Sequence, residues 1–122
     1  MAQIIPVIRI FDYSKAIEFY IGWLGFKVDW DNRHHKGLPV FMQVSLGDIV
    51  LHLSEHHGDG SPGVRFTIRG FNGLRKYHQQ LIDKNYTYNR PGLGVSYWNP
   101  NEIEMTAIDP FGNRLHFTEE FL

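Results

Sequence analysis

The sequence contains no cysteine, which excludes disulfide bonds, thiolate nucleophiles and zinc sites built on cysteine. It also lacks an excess of charge of either sign, since 12 Lys+Arg stand against 13 Asp+Glu. Because the basic residues are scattered as well, we predict that nucleic acid is not a partner. Long apolar runs are missing, and Met1-Ala2-Gln3 does not resemble the start of a signal sequence. We therefore predict a cytoplasmic protein without a membrane anchor.

The chain is rich in aromatic residues, with three Trp, six Tyr and nine Phe in 122 residues. Its apolar fraction of 43% is typical of one globular domain. Most of these rings are needed for the core of so small a domain. A few are left to grip a flat ligand, because aromatic side chains offer large, rigid apolar surfaces.

The first half of the chain has the pattern of a strand, a helix and three strands. The β-branched run from Ile4 to Ile10 predicts the first strand. Asp12 or Ser14 can cap the helix that follows, and Gly25 ends it. The apolar face of this helix is predicted from helical spacing at Ile17, Tyr20, Ile21 and Leu24. The remaining strands are predicted at Phe26 to Trp30, Val40 to Leu46 and Ile49 to Ser54, the last two joined by a hairpin at Gly47-Asp48.

The second half repeats this order after a Gly- and Pro-rich loop at residues 55–63. Val64 to Ile68 predicts its first strand. A helix is predicted to end near Asn85, with its apolar face at Leu74, Tyr77, His78 and Leu81. Its other strands are predicted at Thr87-Tyr88, Ile103 to Ile108 and Arg114 to Thr118.

The two halves also match at the level of residues. Leu51-His52-Leu53-Ser54-Glu55 corresponds to Leu115-His116-Phe117-Thr118-Glu119 at an offset of 64. We predict an α+β fold in which two paired β-α-β-β-β modules form a curved mixed sheet around a cleft. Residues 1–122 are one domain in this prediction, with modules at about 1–58 and 62–122.

His52 and His116 occupy equivalent positions, and strand alternation places both on the face directed toward the cleft. Two histidines on one cleft are a candidate metal pair, although a metal site usually needs a third or fourth ligand. By symmetry the missing ligands would come from near Pro6 and Val64, which carry no ligand atom. Three alternatives stay open for these histidines: metal ligands, hydrogen-bonded cavity or core residues, or contacts to a bound molecule.

Other polar residues are less well placed for a site. Glu55 and Glu119 lie three residues beyond the two histidines and are predicted at the rim of the cleft. Two adjacent histidines on a flexible loop point in different directions and rarely chelate one ion together. We therefore interpret the pairs His34-His35 and His56-His57 as parts of solvated loops.

Four aromatic residues are predicted at the mouth of the cleft. Trp30 ends the second strand and Phe41 opens the third. Tyr97 and Trp98 lie in a segment rich in Gly, Asn and Pro, where two large rings are difficult to bury.

Several motifs resemble the glyoxalase / bleomycin resistance / extradiol dioxygenase superfamily, also called vicinal oxygen chelate proteins. They are Ala16-Ile17-Glu18-Phe19-Tyr20, Leu24-Gly25-Phe26, and Asp109-Pro110-Phe111-Gly112-Asn113 before the last strand. Together with the doubled β-α-β-β-β order, this resemblance spans nearly the whole chain. The metal enzymes of the superfamily carry ligands at positions that match Pro6, His52, Val64 and His116, so two of the four positions lack a ligand atom.

The chain is more similar to the non-metal bleomycin resistance proteins of this superfamily. That resemblance implies a homodimer that sequesters a bleomycin-type antibiotic, or another flat and partly cationic molecule, in an aromatic cleft. It implies no catalytic residue, no metal and no cofactor. Ligand-binding residues are predicted at Trp30, Phe41, His52, Tyr97, Trp98 and His116.

Two alternatives to this function remain open. The first is a divalent-metal-dependent lyase, isomerase or dioxygenase of the same superfamily that uses His52 and His116. The second is a protein whose cleft is vestigial and whose role is dimeric interaction.

Overall fold

A computed structural model of the chain describes residues 2–33 and 37–121, in two compact units. The first unit extends to Val64 and also includes Pro110–Asn113; the second comprises Arg65–Asp109 and the segment from Arg114 onward. The predicted loop histidines His34 and His35 lie outside the described residues. Each unit has the predicted β-α-β-β-β order, which confirms the α+β fold class.

The first unit contains a four-stranded mixed sheet with the order β1-β4-β3-β2. Its strands are β1 (Val7–Arg9), β2 (Lys27–Asn32), β3 (Phe41–Leu46) and β4 (Ile49–Ser54). Strand β1 runs parallel to β4, and the other neighbours are antiparallel. It is shorter than predicted and begins after Pro6, which has no N–H to donate to a strand ladder.

The helix of the first unit begins as α1 (Tyr13–Ala16) and continues as a π-helical segment, Ile17–Trp23. Asp12 caps it, since its side chain accepts a hydrogen bond from the Lys15 N–H at 3.0 Å. The predicted apolar face is confirmed at Tyr20 and Leu24, which are buried. The rest of the buried stripe is rotated, because a π-helical hydrogen bond spans one residue more than an α-helical one. Phe19 and Trp23 are buried here, whereas the predicted Ile17 and Ile21 are only half-buried.

The second unit repeats the architecture with the sheet order β5-β8-β7-β6. Its elements are β5 (Arg65–Ile68), α2 (Leu74–Asp83), β6 (Gly94–Val95), β7 (Glu102–Ile108) and β8 (Arg114–Glu120). The prediction of a strand at Thr87-Tyr88 is wrong, because these residues form a turn and the edge strand is Gly94–Val95. Their β propensity is overridden by the adjacent Asn89, whose side chain donates to the Ile108 carbonyl at 2.7 Å.

Strand alternation divides the sheet of the second unit into two chemically different faces. Leu115 and Phe117 of β8 are buried, and Phe117 packs edge-on against Phe71 and at a tilt against Tyr77 of α2. Burial raises the pKa of Tyr77, as expected for a phenol held in this apolar layer. The alternate residues of β8, including His116 and Thr118, point to the other face. The helix therefore covers the apolar side and leaves the polar side for the candidate site.

Asn113 ties together three backbone segments of the first unit. Its side-chain oxygen accepts hydrogen bonds from the N–H groups of Gly63 and Val64, both at 3.1 Å, and its amide donates to the Arg9 carbonyl at 3.0 Å. The residue is fully buried. This arrangement gives the Asp-Pro-Phe-Gly-Asn motif a structural role at the end of β1.

We predict that Asn113→Ala lowers the free energy of unfolding by about 2–3 kcal/mol, because it leaves backbone polar groups without partners. Urea unfolding measures this loss. Asn72→Ala, at an exposed position, is the matched control and should change stability by less than about 0.5 kcal/mol. Equal effects of the two substitutions would contradict the role assigned to Asn113.

Candidate functional site

The six predicted ligand-binding residues fall into two groups of three, one in each unit. Trp30, Phe41 and His52 form what we call the first cluster. Tyr97, Trp98 and His116 form the second cluster. Each cluster therefore combines aromatic rings with one of the two equivalent histidines.

The first cluster is held by three neighbouring strands. Trp30 of β2 is paired with Gln43 of β3, and Gln43 is paired with His52 of β4. Trp30 and Phe41 stack nearly parallel, with ring centroids 6.0 Å apart and an angle of 18°. His52 meets both rings edge-on, at 5.4 Å from Trp30 and 5.1 Å from Phe41. Since Trp30 remains 41% exposed, the cluster offers an aromatic surface to a ligand.

A hydrogen-bond chain orients the histidine of this cluster. The Asp29 carboxylate accepts hydrogen bonds from the Gln43 amide at 3.0 Å and the Ser45 hydroxyl at 2.9 Å. These hydrogen bonds lower the pKa of Asp29 and keep its carboxylate ionised, and the bond from Gln43 has the larger effect. An ionised carboxylate only accepts, so the amide nitrogen of Gln43 faces Asp29 and its oxygen faces His52. The Nε2 of His52, 3.0 Å from that oxygen, must then carry the proton.

We predict that neutral His52 is the Nε2–H tautomer, and nitrogen-15 NMR of the ring nitrogens tests this. Gln43→Leu removes the acceptor and should shift His52 toward a mixture of tautomers. Gln80→Leu, on the exposed side of α2, should leave the spectrum unchanged. A predominant Nδ1–H form in the unmodified protein would contradict the proposed chain.

The rings of the second cluster lie in the turn between β6 and β7. Backbone hydrogen bonds close this turn, with the Ser96 N–H donating to the Glu102 carbonyl at 2.9 Å. Tyr97 and Trp98 meet at right angles with centroids 4.8 Å apart. Trp98 also lies 6.0 Å from the His116 ring and is 52% exposed, whereas Tyr97 is almost fully exposed. This turn is the exposed loop that the sequence predicted.

His116 is buried and both of its ring nitrogens are engaged. Nε2 lies 2.7 Å from a carboxylate oxygen of Glu104, and Nδ1 lies 3.3 Å from the hydroxyl of Thr67. Glu104 and Thr67 were not among the predicted site residues. Strand alternation was the signal for Glu104, since it lies on β7 two residues before Thr106, the register partner of His116. Thr67 is the register partner of His116 on β5.

The strand register places Val7 beside His52 and Thr67 beside His116. The sequence analysis expected residues near Pro6 and Val64 to lie beside the two histidines. The observed partner of His116, Thr67, is three residues beyond Val64. Neither Val7 nor Thr67 adds an imidazole or a carboxylate beside the histidines. Among the described residues, no three His, Asp or Glu side chains are grouped as metal ligands would be. Both nitrogens of His116 are hydrogen-bonded within the sheet.

The two glutamates predicted at the rim have structural roles. Glu55 accepts a hydrogen bond from the Val40 N–H at 3.0 Å and pairs with Arg33 at 3.4 Å. Glu119 accepts hydrogen bonds from the N–H groups of Gly73 and Leu74, both at 3.0 Å. It therefore caps α2 from β8, which sequence reasoning did not anticipate because capping residues usually lie next to the helix.

A cleft of about 330 Å³ lies against the polar face of the second unit. Its lining residues are Arg65, Thr67, Arg69, Tyr97, Trp98, Glu102, His116 and Thr118. It thus includes the whole second cluster. The hydroxyl of Thr118 is buried and is without a hydrogen-bond partner in the described part of the chain.

We predict that Thr118→Val raises the free energy of unfolding by about 1 kcal/mol, because it removes a buried hydroxyl that lacks a partner. Thermal and urea unfolding provide the measurement. Thr67→Val makes the same chemical change where the hydroxyl contacts His116, and should instead destabilise the protein by about 1 kcal/mol. Destabilisation by both substitutions would show that the Thr118 hydroxyl has a partner.

Comparison with known proteins places these observations in context. The family model described as glyoxalase superfamily protein matches residues 1–121. A search of curated protein sequences found no match. Among the described residues, no helix is long and apolar enough to cross a membrane.

Solved structures with the same fold include several antibiotic-binding proteins. A bleomycin-binding protein complexed with bleomycin has a TM-score of 0.74 at 19% identity, over 98% of this chain and 99% of that one. A bleomycin resistance determinant encoded on transposon Tn5 has a TM-score of 0.74 at 19% identity, over the full length of both chains. TnmS3, an antibiotic binding protein from Streptomyces sp. CB03234, has a TM-score of 0.70 at 20% identity, over 98% and 97%. At these identities the likeness is one of fold.

Proposed function

Because the chain belongs to the glyoxalase superfamily, we propose that it is a non-catalytic binding protein for flat aromatic small molecules. Bleomycin-type antibiotics are the first ligand class to consider. The observation that carries this proposal is the grouping of partly exposed rings with an oriented histidine in each cluster. Similar folds in proteins described as binding bleomycin and other antibiotics support it.

The rings are arranged for stacking. Trp30 and Trp98 each keep about half of their surface exposed, in contrast to Trp23, which is buried in the core. A flat ligand that covers such a ring removes apolar surface from water, and an aromatic pair contributes about 0.5–1.5 kcal/mol beyond that burial. The exposed rings are therefore the binding surfaces in this proposal.

The first cluster suits a ligand with a cationic part. The ionised carboxylate of Asp29 is adjacent in sequence to Trp30 and is held by Gln43 and Ser45. It also lies 3.8 Å from the ammonium group of the exposed Lys27, which a cationic ligand would have to displace. A cation stacked on Trp30 gains from the ring face and from this carboxylate. These features match a flat, partly cationic molecule.

The polar groups support binding rather than chemistry on the ligand. In the second cluster, Glu104 and Thr67 occupy the nitrogens that a general acid or base would use. The hydroxyl of Thr67 lies 3.3 Å from Nδ1 of His116, and we assign it to orienting the ring and not to attack on a ligand. A bound ligand is therefore expected to be released chemically unchanged.

We further propose that the chain acts as a homodimer in the cytoplasm.

We expect the purified, dialysed protein to bind metal-free or copper-loaded bleomycin. The bound drug should quench the fluorescence of the exposed Trp30 and Trp98. The variants Trp30→Ala and Trp98→Ala each lack one of these fluorescent rings. Their affinity for bleomycin is therefore measured by calorimetry. Loss of the ring that stacks on the ligand should weaken binding about tenfold. Mass spectrometry should recover the ligand intact.

Tyr88→Ala is the matched control, because Tyr88 is an exposed aromatic residue outside both clusters and its loss should not change affinity. Absence of binding at high micromolar drug would overturn the assignment of bleomycin as ligand. Metal-dependent conversion of a bound ligand would overturn the non-catalytic proposal. Unchanged affinity in both tryptophan variants would show that the ligand binds elsewhere.

A further inference from the structure

Two arginines line the cleft of the second unit. Arg65, Thr67 and Arg69 alternate along β5 and its end, so their side chains lie on one face. Within the described residues, no hydrogen bond or ion pair uses the guanidinium of Arg65 or Arg69. Thr67 lies between them, about 7 Å along the chain from each. The two positive charges therefore flank the position of His116.

Two acidic residues of this face, Glu102 and Glu104, are engaged within the sheet, whereas Glu120 at the end of β8 is exposed. Glu102 is buried and accepts a hydrogen bond from the Ser96 hydroxyl at 2.8 Å. Glu104 accepts its hydrogen bond from His116 at 2.7 Å. The cleft lining contains one acidic residue, Glu102, and two arginines. Within the cleft lining, positively charged side chains therefore outnumber negatively charged ones.

A buried donor lies in the same lining. Thr118 is 2% exposed, and its hydroxyl has no partner in the described part of the chain. A buried hydroxyl without a hydrogen bond is costly, so such a group is often satisfied by a ligand or by water. This observation is independent of the arginines and points to a polar group in the cleft.

We propose that this cleft binds the carboxylate of a flat aromatic acid, whose ring stacks on Trp98 while Arg65 or Arg69 holds the carboxylate. The inference rests on the proposed binding function and specifies the ligand class of the second cluster. Guanidinium and carboxylate form paired, charge-assisted hydrogen bonds, which suit planar recognition better than a lysine does. A volume of about 330 Å³ is at the lower end of ligand pockets and suits a small ring system.

The test compares three probes that share one ring system and differ in charge: 2-naphthoate, neutral 2-naphthamide and cationic 2-naphthylmethylammonium. Equilibrium dialysis measures their affinities. We expect naphthoate to bind about tenfold more tightly than naphthamide, with a preference that decreases at high salt. In the Trp30→Ala variant, where the first cluster lacks its stacking ring, naphthylmethylammonium should bind more weakly than naphthamide.

Arg65→Gln, Arg69→Gln and the double variant locate the contact. The preference for naphthoate over naphthamide should be lost in the double variant, and the single variants identify the arginine that holds the carboxylate. Lysine at that position should restore part of the preference. Thr118→Val should weaken naphthoate binding without loss of stability. Arg75→Gln, an equal change of charge on exposed α2, should leave the preference intact.

The outcomes separate this inference from the function on which it rests. If the three probes bind equally and Trp98→Ala weakens all of them, the aromatic site stands and the carboxylate preference is overturned. If naphthoate does not bind at millimolar concentration, the carboxylate preference is overturned whatever bleomycin does. If neither the probes nor bleomycin bind, the proposed function fails as well.

Discussion

The parallel pairing of the first and last strands of each module is the constraint on which the rest of the structure depends. In the first unit it places Val7 beside His52, and in the second it places Thr67 beside His116. Because strand side chains alternate, this register also decides which residues face the helix and which face the opposite side. A shift of one residue would exchange the buried Leu115 and Phe117 with His116 and Thr118. The apolar layer under α2 therefore stabilises the register that builds the candidate site.

The two clusters show how one backbone arrangement supports different chemistry. Each histidine directs Nε2 to an oxygen acceptor on the neighbouring strand, Gln43 in the first unit and Glu104 in the second. The surroundings differ in charge, with Asp29 near the first cluster and two arginines near the second. The acceptor is the register partner of the histidine in the first unit, whereas in the second unit it lies two residues away from that partner, so the two modules orient equivalent histidines by different contacts.

Much of the fold could be predicted because its signals are local. Alternation along β4 and β8, helical spacing around Leu74 and Leu81, and the repeat around His52 and His116 all lie within short segments of the chain. The failures occurred where the backbone departs from the regular geometry that the local pattern predicts. Thr87-Tyr88 has strand propensity but forms a turn, and the π-helical segment rotates the buried face of the first helix toward Phe19 and Trp23.

The sequence by itself determined the order of elements, the duplication and the residue types available on the polar faces, because periodicity and propensity are properties of neighbouring residues. Only the tertiary structure decided which polar groups have partners. Glu119 caps α2, Asn113 joins three backbone segments, and Glu104 and Thr67 engage His116, all across long separations in the chain. Among the residues that the structure describes, Arg65, Arg69 and the hydroxyl of Thr118 have no such partner. Only the structure shows this, since a hydrogen-bond partner is defined by distance in space and not by position in the sequence.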